Sequence, residues 1–231
     1  MSKRIKRKNN KIKNIILIVV SLILLFISLI IVNGYNMYRD AIQNISLEDK
    51  IIEIKNDSNY INLNQVSKYY LDATIAVEDH RFYKHIGFDV ISTTRALFSN
   101  ILDGSLVARG GSTITQQLAK NMYFSQDKIF SRKIAELFVV YQLEKKLSKD
   151  EILELYVNII YFGDGYYGIK EASYGYFKKD ADDLSLEEAI MLAGLPAAPS
   201  VYSPTVNSKL ANERYKQVEA SMIKYGYSID S

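Results

Sequence analysis

The sequence contains no cysteine, and it has only two histidines and three prolines in 231 residues. Without cysteine, a disulfide scaffold, a thiolate metal site and a cysteine nucleophile are excluded. His80 and His85 are the only histidines, so few residues could form a Ser/His triad and too few are present for a histidine-rich metal site. Eleven glycines are too few for a collagen-like or glycine-rich disordered chain. The hydrophobic content of 48 % favours a folded protein.

Outside the N-terminus, acidic residues outnumber basic ones. Seven of the 29 basic residues lie within the first 13 positions, which contain no acidic residue. The rest of the chain therefore has 22 basic residues and 26 acidic ones. A nucleic-acid-binding domain carries its positive charge on the folded part, so this distribution argues against a nucleic-acid partner.

Residues 15–32 form one long apolar run that only Ser21 and Ser28 interrupt. As a helix, this run spans roughly 27 Å, close to the ~30 Å hydrocarbon core of a bilayer. Because no small-residue cleavage site follows, we expect a transmembrane signal anchor over residues 14–34 rather than a removable signal peptide. The positive-inside rule predicts that the basic tail, residues 1–13, is cytoplasmic and that the remainder lies outside the cell membrane.

After the anchor, the sequence predicts a mainly α-helical domain over residues 65–231, with little strand. Residues 35–64 are more polar, and we expect a stalk and a hairpin there, with one short strand at Lys50–Lys55. Apolar residues recur at helical spacing from Gln65 onward. Further helices are predicted at about residues 90–101, 131–147, 149–159, 186–195 and 208–225. The helix over 131–147 is expected to bury Ile134, Leu137, Phe138 and Tyr141.

Glu78 and Asp79 follow a helical run, so both carboxylates are predicted at the C-terminal end of that helix. The helix dipole disfavours negative charge there. A functional reason for this placement is a carboxylate whose raised pKa lets it act as an acid or base near neutral pH. The alternative is that both acids pair with Arg81 or Lys84 at the surface.

A glycine pair opens a second polar segment, which runs from Gly110 to Asn121. Ser112 is the predicted N-cap of a helix there. Ser148 and Ser185, each three residues before a glutamate, are predicted to form capping boxes of later helices. The backbone N–H groups and hydroxyls of this second segment, with Lys120, suit phosphate oxygens. The alternative is an ordinary capped loop.

A third segment places Arg132 and Glu136 four residues apart on one helix face. The simple interpretation is an i,i+4 ion pair, which contributes little when it is exposed. The functional interpretation needs Glu136 in a cleft opposite Glu78. Two carboxylates from distant segments, with basic side chains beside them, are typical of glycosyl-transfer enzymes.

Together and in this order, the three segments resemble the peptidoglycan glycosyltransferases, glycosyltransferase family 51. The residues that carry the resemblance are Glu78, Asp79, Phe82, His85, Gly87 and Asp89, then Gly110 to Asn121, then Arg132, Lys133 and Glu136. Two later stretches, Glu151–Gly163 and Ala193–Pro204, agree with the same family. The resemblance covers about residues 65–225. It implies a lysozyme-like helical large lobe and a smaller membrane-associated lobe, which we expect near Leu97–Phe124.

The resemblance implies an enzyme that polymerises lipid II into peptidoglycan glycan strands by inverting transfer, forming β-1,4 links and releasing undecaprenyl diphosphate. Glu78 matches the general base of the family, and Glu136 matches its second essential carboxylate. The residues expected to bind substrate are Asp79, Ser112, Thr113, Gln116, Gln117, Lys120, Asn121, Lys128, Arg132 and Lys133. Lys128 departs from the arginine that related enzymes often carry, and lysine binds diphosphate as a point charge rather than as a fork.

No cofactor and no protein metal site are expected, and a divalent cation (Mg or Mn) is an optional aid to the diphosphate. The expected partners are lipid II, the growing glycan strand, the bacterial cytoplasmic membrane, and proteins of cell-wall synthesis or division.

Two other functions stay open: a lysozyme-like glycan-cleaving enzyme and a catalytically silent, membrane-anchored scaffold. The resemblance ends near Tyr225, which favours a monofunctional transglycosylase; a fragment of a longer bifunctional penicillin-binding protein is the alternative.

Overall fold

The computed structural model describes residues 2–91, 94, 111–124 and 130–229, with side chains from residue 13 onward. Within these ranges the chain is predominantly helical, and β-pairing is limited to one isolated antiparallel bridge between Tyr161 and Tyr167. The mainly α class is therefore confirmed. The expected strand content is absent from the described residues.

The helices within these ranges are numbered in chain order. They are α1 (Ser2–Asn44), α2 (Leu47–Lys55), α3 (Lys68–Glu78), α4 (Ile114–Tyr123), α5 (Phe130–Lys146), α6 (Lys149–Ile159), α7 (Gly168–Phe177), α8 (Leu186–Gly194), α9 (Pro199–Tyr202) and α10 (Ser208–Tyr225). The predicted capping boxes are present, with Ser148 capping α6 and Ser185 capping α8. The predicted helix over residues 90–101 lies mostly outside the described residues.

Helix α1 contains the predicted anchor. Its segment Lys13–Asn44 is the one described helix long and apolar enough to cross a membrane, with a mean hydropathy of 3.6 in its most apolar window. None of that window is buried against the rest of the chain. An apolar helical segment whose side chains do not pack against the rest of the protein fits a membrane anchor.

The C-terminal part of α1 packs directly on α5. Phe138 of α5 stacks on Tyr38 of α1, with 5.3 Å between ring centroids, and Gln142 donates a hydrogen bond to the Tyr38 hydroxyl at 2.6 Å. The two helices come closest at Gly34, where a Cβ atom would lie 2.5 Å from Cβ of Ile134. The glycine therefore permits the anchor to pack against the helix that carries Glu136.

Replacing Gly34 with leucine is expected to destabilise this helix pair. Inserting a side chain into a closely packed contact typically costs about 1–3 kcal/mol, which corresponds to a decrease in Tm of roughly 2–12 °C for a chain of this size. Thermal unfolding of the detergent-solubilised protein measures the change. The matched control is Ser28→Leu at an exposed position of the same helix, which should leave Tm unchanged. An equal Tm for both variants would contradict the packing.

The strand predicted at Lys50–Lys55 is wrong, because these residues belong to helix α2. Ser46 caps this helix by accepting a hydrogen bond from the backbone N–H of Asp49. The polypeptide between the anchor and the core is thus helical at residues 35–44 and 47–55, and the predicted hairpin is absent.

The buried face of α5 also differs from the prediction. Tyr141 is exposed, whereas Ile134, Leu137 and Phe138 are only partly buried. The fully covered positions of this helix are Ala135, Glu136, Val139, Val140 and Leu143. The reason is that α1 covers the face of Ile134 and Phe138, which leaves the neighbouring face for the core.

The core brings the ends of distant segments together. Helix α3 packs against α8 and α10, and α4 packs against α5 and α6. Tyr70, Leu118, Leu143, Tyr156 and Val218 are fully buried representatives of these elements. The predicted membrane-associated lobe near Leu97–Phe124 is described only from residue 111, and there Met122 belongs to the core rather than to an exposed apolar surface.

Candidate active site

Glu78 is the last residue of α3, as the sequence predicts. Its side chain is 12 % exposed. One carboxylate oxygen accepts a hydrogen bond from the side-chain amide of Gln117 at 2.7 Å, and the other lies 3.3 Å from the guanidinium of Arg214. Burial raises the pKa of Glu78 above its usual value, although Gln117 and Arg214 act in the opposite direction. A carboxyl group in such surroundings is suited to accept a proton near neutral pH.

Asp79 is buried and fixes the local geometry. It accepts hydrogen bonds from His85 Nε2 at 2.9 Å and from the backbone N–H of Ile114, the first residue of α4, at 3.1 Å. His85 Nδ1 in turn accepts from the backbone N–H of Gly87, so the ring proton lies on Nε2. The alternative of surface pairing with Arg81 is wrong, because Arg81 pairs with Asp89.

The N-cap of α4 is Thr113 and not the predicted Ser112. The Thr113 hydroxyl accepts from the backbone N–H of Gln116, and the Gln116 side chain accepts from the backbone N–H of Thr113. Both side chains are buried in this capping box. Thr113 also donates to the backbone carbonyl of Gly87 at 2.6 Å, which ties the start of α4 to the loop after Asp79.

Glu136 lies on α5 with no exposed surface. Its carboxylate is 2.6 Å from a guanidinium nitrogen of Arg132 and 2.9 Å from the ammonium nitrogen of Lys133. Lys133 also donates to the hydroxyl of Ser112 at 3.1 Å. The i,i+4 ion pair of the simple interpretation is therefore present. It is buried, where an ion pair persists only with good geometry and further hydrogen bonds.

Lys120 lies beside this ion-pair cluster. Burial lowers its pKa, and the positive charges of Arg132 and Lys133 lower it further, whereas Glu136 opposes them. Two cationic side chains thus contact the Glu136 carboxylate, and a third, Lys120, interacts electrostatically with the same cluster. The excess positive charge in a partly covered position is suited to bind an anionic group such as a diphosphate.

Helix α4 connects the two ends of the site. Gln117 contacts Glu78, and Lys120, three residues later on the same helix face, lies near Arg132 and Glu136. A buried carboxylate and a cluster of cationic side chains therefore flank one helix. Of the other predicted residues, Asn121 is exposed, and Lys128 lies outside the described residues.

Two residues that contact the site were not predicted. Arg214 on α10 contacts Glu78 across 136 positions of sequence. Tyr156 on α6 was not among the predicted site residues, yet its hydroxyl lies 3.3 Å from the side-chain oxygen of Gln117. Sequence spacing carries no signal for such long-range contacts, since they depend on how α6 and α10 pack against α3 and α4.

Among the described residues, Asp79, His85 and Asp89 form a group whose donor atoms lie close enough to hold a metal ion. Each has a protein partner: Asp79 and His85 bind one another, and Asp89 pairs with Arg81 at 3.2 Å. The Arg81 guanidinium already neutralises Asp89, one of the two carboxylates that a cation would need. His80 stacks on Tyr225 with 3.9 Å between ring centroids.

A family model described as Transglycosylase matches residues 47–223. The chain is 46 % identical over 167 residues to penicillin-binding protein 1F of Bacillus subtilis, covering 72 % of this chain and 23 % of that protein. It is 46 % identical over 181 residues to penicillin-binding protein 1A of Neisseria lactamica, covering 78 % and 23 %. A protein of Cupriavidus necator, named as a candidate transglycosylase, is 42 % identical over 178 residues, covering 77 % and 76 %. The chain thus spans about a quarter of the two penicillin-binding proteins.

Proposed function

Because the chain belongs to the transglycosylase family, we propose that it is a peptidoglycan glycosyltransferase that polymerises lipid II into glycan strands. The observation that carries this proposal is the position of two unlike groups on one face of α4. The first group is the carboxylate of Glu78, which Gln117 contacts. The second group is the cluster of Arg132, Lys133 and Glu136, which lies near Lys120. Glycan cleavage requires an acid and a base but no cationic site for a diphosphate.

In the proposed reaction, Glu78 is the general base. It removes the proton from the 4-hydroxyl of the acceptor sugar while that oxygen attacks C1 of the donor sugar. The new C1–O bond forms as the bond from C1 to the diphosphate oxygen breaks, and the bonding electron pair leaves with the diphosphate. A carboxylate with a raised pKa holds the transferred proton better than an exposed glutamate does.

The leaving undecaprenyl diphosphate gains negative charge as the bond breaks. In the proposal, Lys120, Arg132 and Lys133 stabilise this charge, and Glu136 keeps the last two side chains in place. Such preorganised charges are most effective where water is excluded. These cations supply charge stabilisation without a bound metal, so a divalent cation is an aid rather than a requirement.

One direct displacement converts an α-linked donor into a β-1,4 product, and no covalent sugar-enzyme intermediate is needed. The anchor α1 would hold the site at the membrane that contains both lipid-linked substrates. In our proposal its basic end is cytoplasmic and the helical domain lies on the outer face. Partners would be lipid II, the growing strand and the proteins of cell-wall synthesis or division.

The product chemistry tests the proposed reaction. Detergent-solubilised protein is incubated with lipid II, the undecaprenyl diphosphate that is released is quantified, and the new linkage is assigned by NMR. The expected result is one diphosphate released per β-1,4 link formed. Cleavage of pre-formed glycan without diphosphate release would favour the hydrolase, and bound but unchanged lipid II would favour the scaffold.

The pH dependence of kcat/KM should report the state of Glu78. A general base is active when deprotonated, so activity is lost as pH falls through its pKa. Since burial raises the pKa of Glu78, the acid limb should lie above that of an exposed glutamate, ordinarily about 4.3. Arg214→Gln removes a charge that stabilises the carboxylate and should move the limb to still higher pH. Arg214→Lys, which keeps the charge, should move it less; equal acid limbs in all three proteins would contradict this role.

A further inference from the structure

Tyr156 is connected to Glu78 through Gln117 and not by a direct hydrogen bond. The side chain is fully buried on α6, and its hydroxyl lies 3.3 Å from the Oε1 atom of Gln117. The Nε2 atom of the same amide donates to Glu78 at 2.7 Å. The three side chains come from α6, α4 and α3 and form one linear series of hydrogen bonds. Its members are separated by 39 positions at each step.

The Tyr156 phenol and the Glu78 carboxylate together fix the orientation of the Gln117 amide between them. A tyrosine hydroxyl can donate to an amide oxygen, and an amide nitrogen can donate to a carboxylate. Burial holds the pKa of Tyr156 well above its usual value, so the hydroxyl keeps its proton and acts as the donor. With Oε1 held by the phenol, Nε2 must point to Glu78. A flipped amide would place one acceptor oxygen against another, which is unfavourable in a buried position.

We propose that Tyr156 is a positioning residue for the general base, acting through Gln117 to fix the Glu78 carboxylate; this rests on the function proposed above. Among the described residues, two side chains hold the Glu78 carboxylate in place. Arg214 holds one oxygen and Gln117 the other. The loss of a defined amide orientation would leave the carboxylate fixed on one side only.

Other charged and titratable groups face Glu78 from the elements packed around it. They are Arg214 on α10, Asp79 next in the chain, Tyr70 on α3 and Tyr156 on α6. No hydrogen bond joins the hydroxyl of Tyr70 to Gln117 or to Glu78. Tyr70 is as buried as Tyr156, which makes it a matched control for removing a buried phenol oxygen.

The test compares Tyr156→Phe with Tyr70→Phe in the detergent-solubilised full chain. Tyr156→Phe should lower kcat for lipid II polymerisation by about 3- to 10-fold, as expected for the loss of one hydrogen bond, and leave KM unchanged. Its acid limb of kcat/KM should move to higher pH, because a disordered amide stabilises the carboxylate less well. Tyr70→Phe should change neither quantity. An unshifted acid limb in Tyr156→Phe would overturn the proposal.

A second comparison separates positioning from general packing. In a Gln117→Leu background, Tyr156→Phe should have no further effect on kcat, since the group through which the phenol acts is gone. A loss of the same size in both backgrounds would show that the phenol acts by another route and would overturn the proposal.

A third measurement does not depend on activity. Infrared difference spectra recorded against pH follow the Glu78 carboxyl, whose band is assigned by its loss in Glu78→Gln. Tyr156→Phe should raise the midpoint of this titration relative to the unmutated protein and to Tyr70→Phe. If the unmutated protein makes no polymer, the proposed function fails, while this titration still decides for or against the link from Tyr156 to Glu78.

Discussion

Glu78→Gln is expected to lower the rate of lipid II polymerisation by about 10²- to 10⁴-fold, the usual contribution of a general base. Glutamine has the shape of glutamate but cannot take up the proton of the attacking hydroxyl. Because the amide has nearly the same shape and its oxygen can still accept a hydrogen bond from one of the two donors, Gln117 or Arg214, the fold should persist. Polymer formation and thermal unfolding, measured on the same preparation, test both expectations.

The matched control for this variant is Glu144→Gln. Glu144 is as buried as Glu78, with 11 % of its side chain exposed, and it also forms an ion pair, with Lys149 at 2.7 Å. It accepts a hydrogen bond from Thr115 and has no part in the proposed reaction. Its replacement should leave the polymerisation rate within a few-fold of the unmutated protein. Equal losses in the two variants would mean that buried charge, and not proton transfer, explains the effect.

Lys120→Met is expected to separate activity from stability. The methionine keeps the apolar part of the side chain but removes a charge that would stabilise the departing diphosphate, so kcat/KM should fall by about 10²- to 10³-fold. Tm should stay the same or rise, because the ammonium is partly buried among Arg132 and Lys133, which lower its pKa. A steady-state assay and a thermal melt measure the two quantities.

Lys145→Met serves as the control for the lysine variant. Lys145 is an exposed residue in the last turn of α5, the helix that carries Arg132 and Glu136. Its replacement should change neither kcat/KM nor Tm. A Lys120→Met protein with unchanged kcat/KM, or with a markedly lower Tm, would contradict an anion-binding role for this cluster.

Most of the helices follow from local sequence. Helix α10 occupies Ser208–Tyr225, the predicted range, because apolar spacing and a terminal glycine both mark it. The capping rule also explains one error. Thr113 precedes Gln116 by three residues, which is the full capping-box pattern, whereas Ser112 precedes Thr115. The nearest serine was favoured over the pattern that identifies the cap.

Two other errors have different causes, one local and one tertiary. Six residues at Lys50–Lys55 are too few to separate strand from helix by spacing, and Ser46 with Asp49 was the overlooked start signal. On α5, the covered face includes the charged residue Glu136, which a search for apolar stripes leaves out. Neighbouring cations make that burial tolerable, and they are visible only in the folded chain.

The candidate site was predictable in its residues but less so in its connections. The resemblance to a known family, carried by several segments in a fixed order, singled out Glu78, Glu136, Lys120 and Arg132. It did not identify Arg214, because an arginine on a distant helix resembles any surface charge until α10 packs against α3. Contacts between remote helices depend on packing, and no local pattern encodes them.

The most direct test of the proposed function is a time course with labelled lipid II, with the products separated on a gel. The unmutated protein, Glu78→Gln and Glu144→Gln are compared at equal concentration. We predict a ladder of glycan polymer from the unmutated protein and from Glu144→Gln, and almost none from Glu78→Gln. A ladder of normal intensity from Glu78→Gln, or no ladder from the unmutated protein, would contradict the proposal.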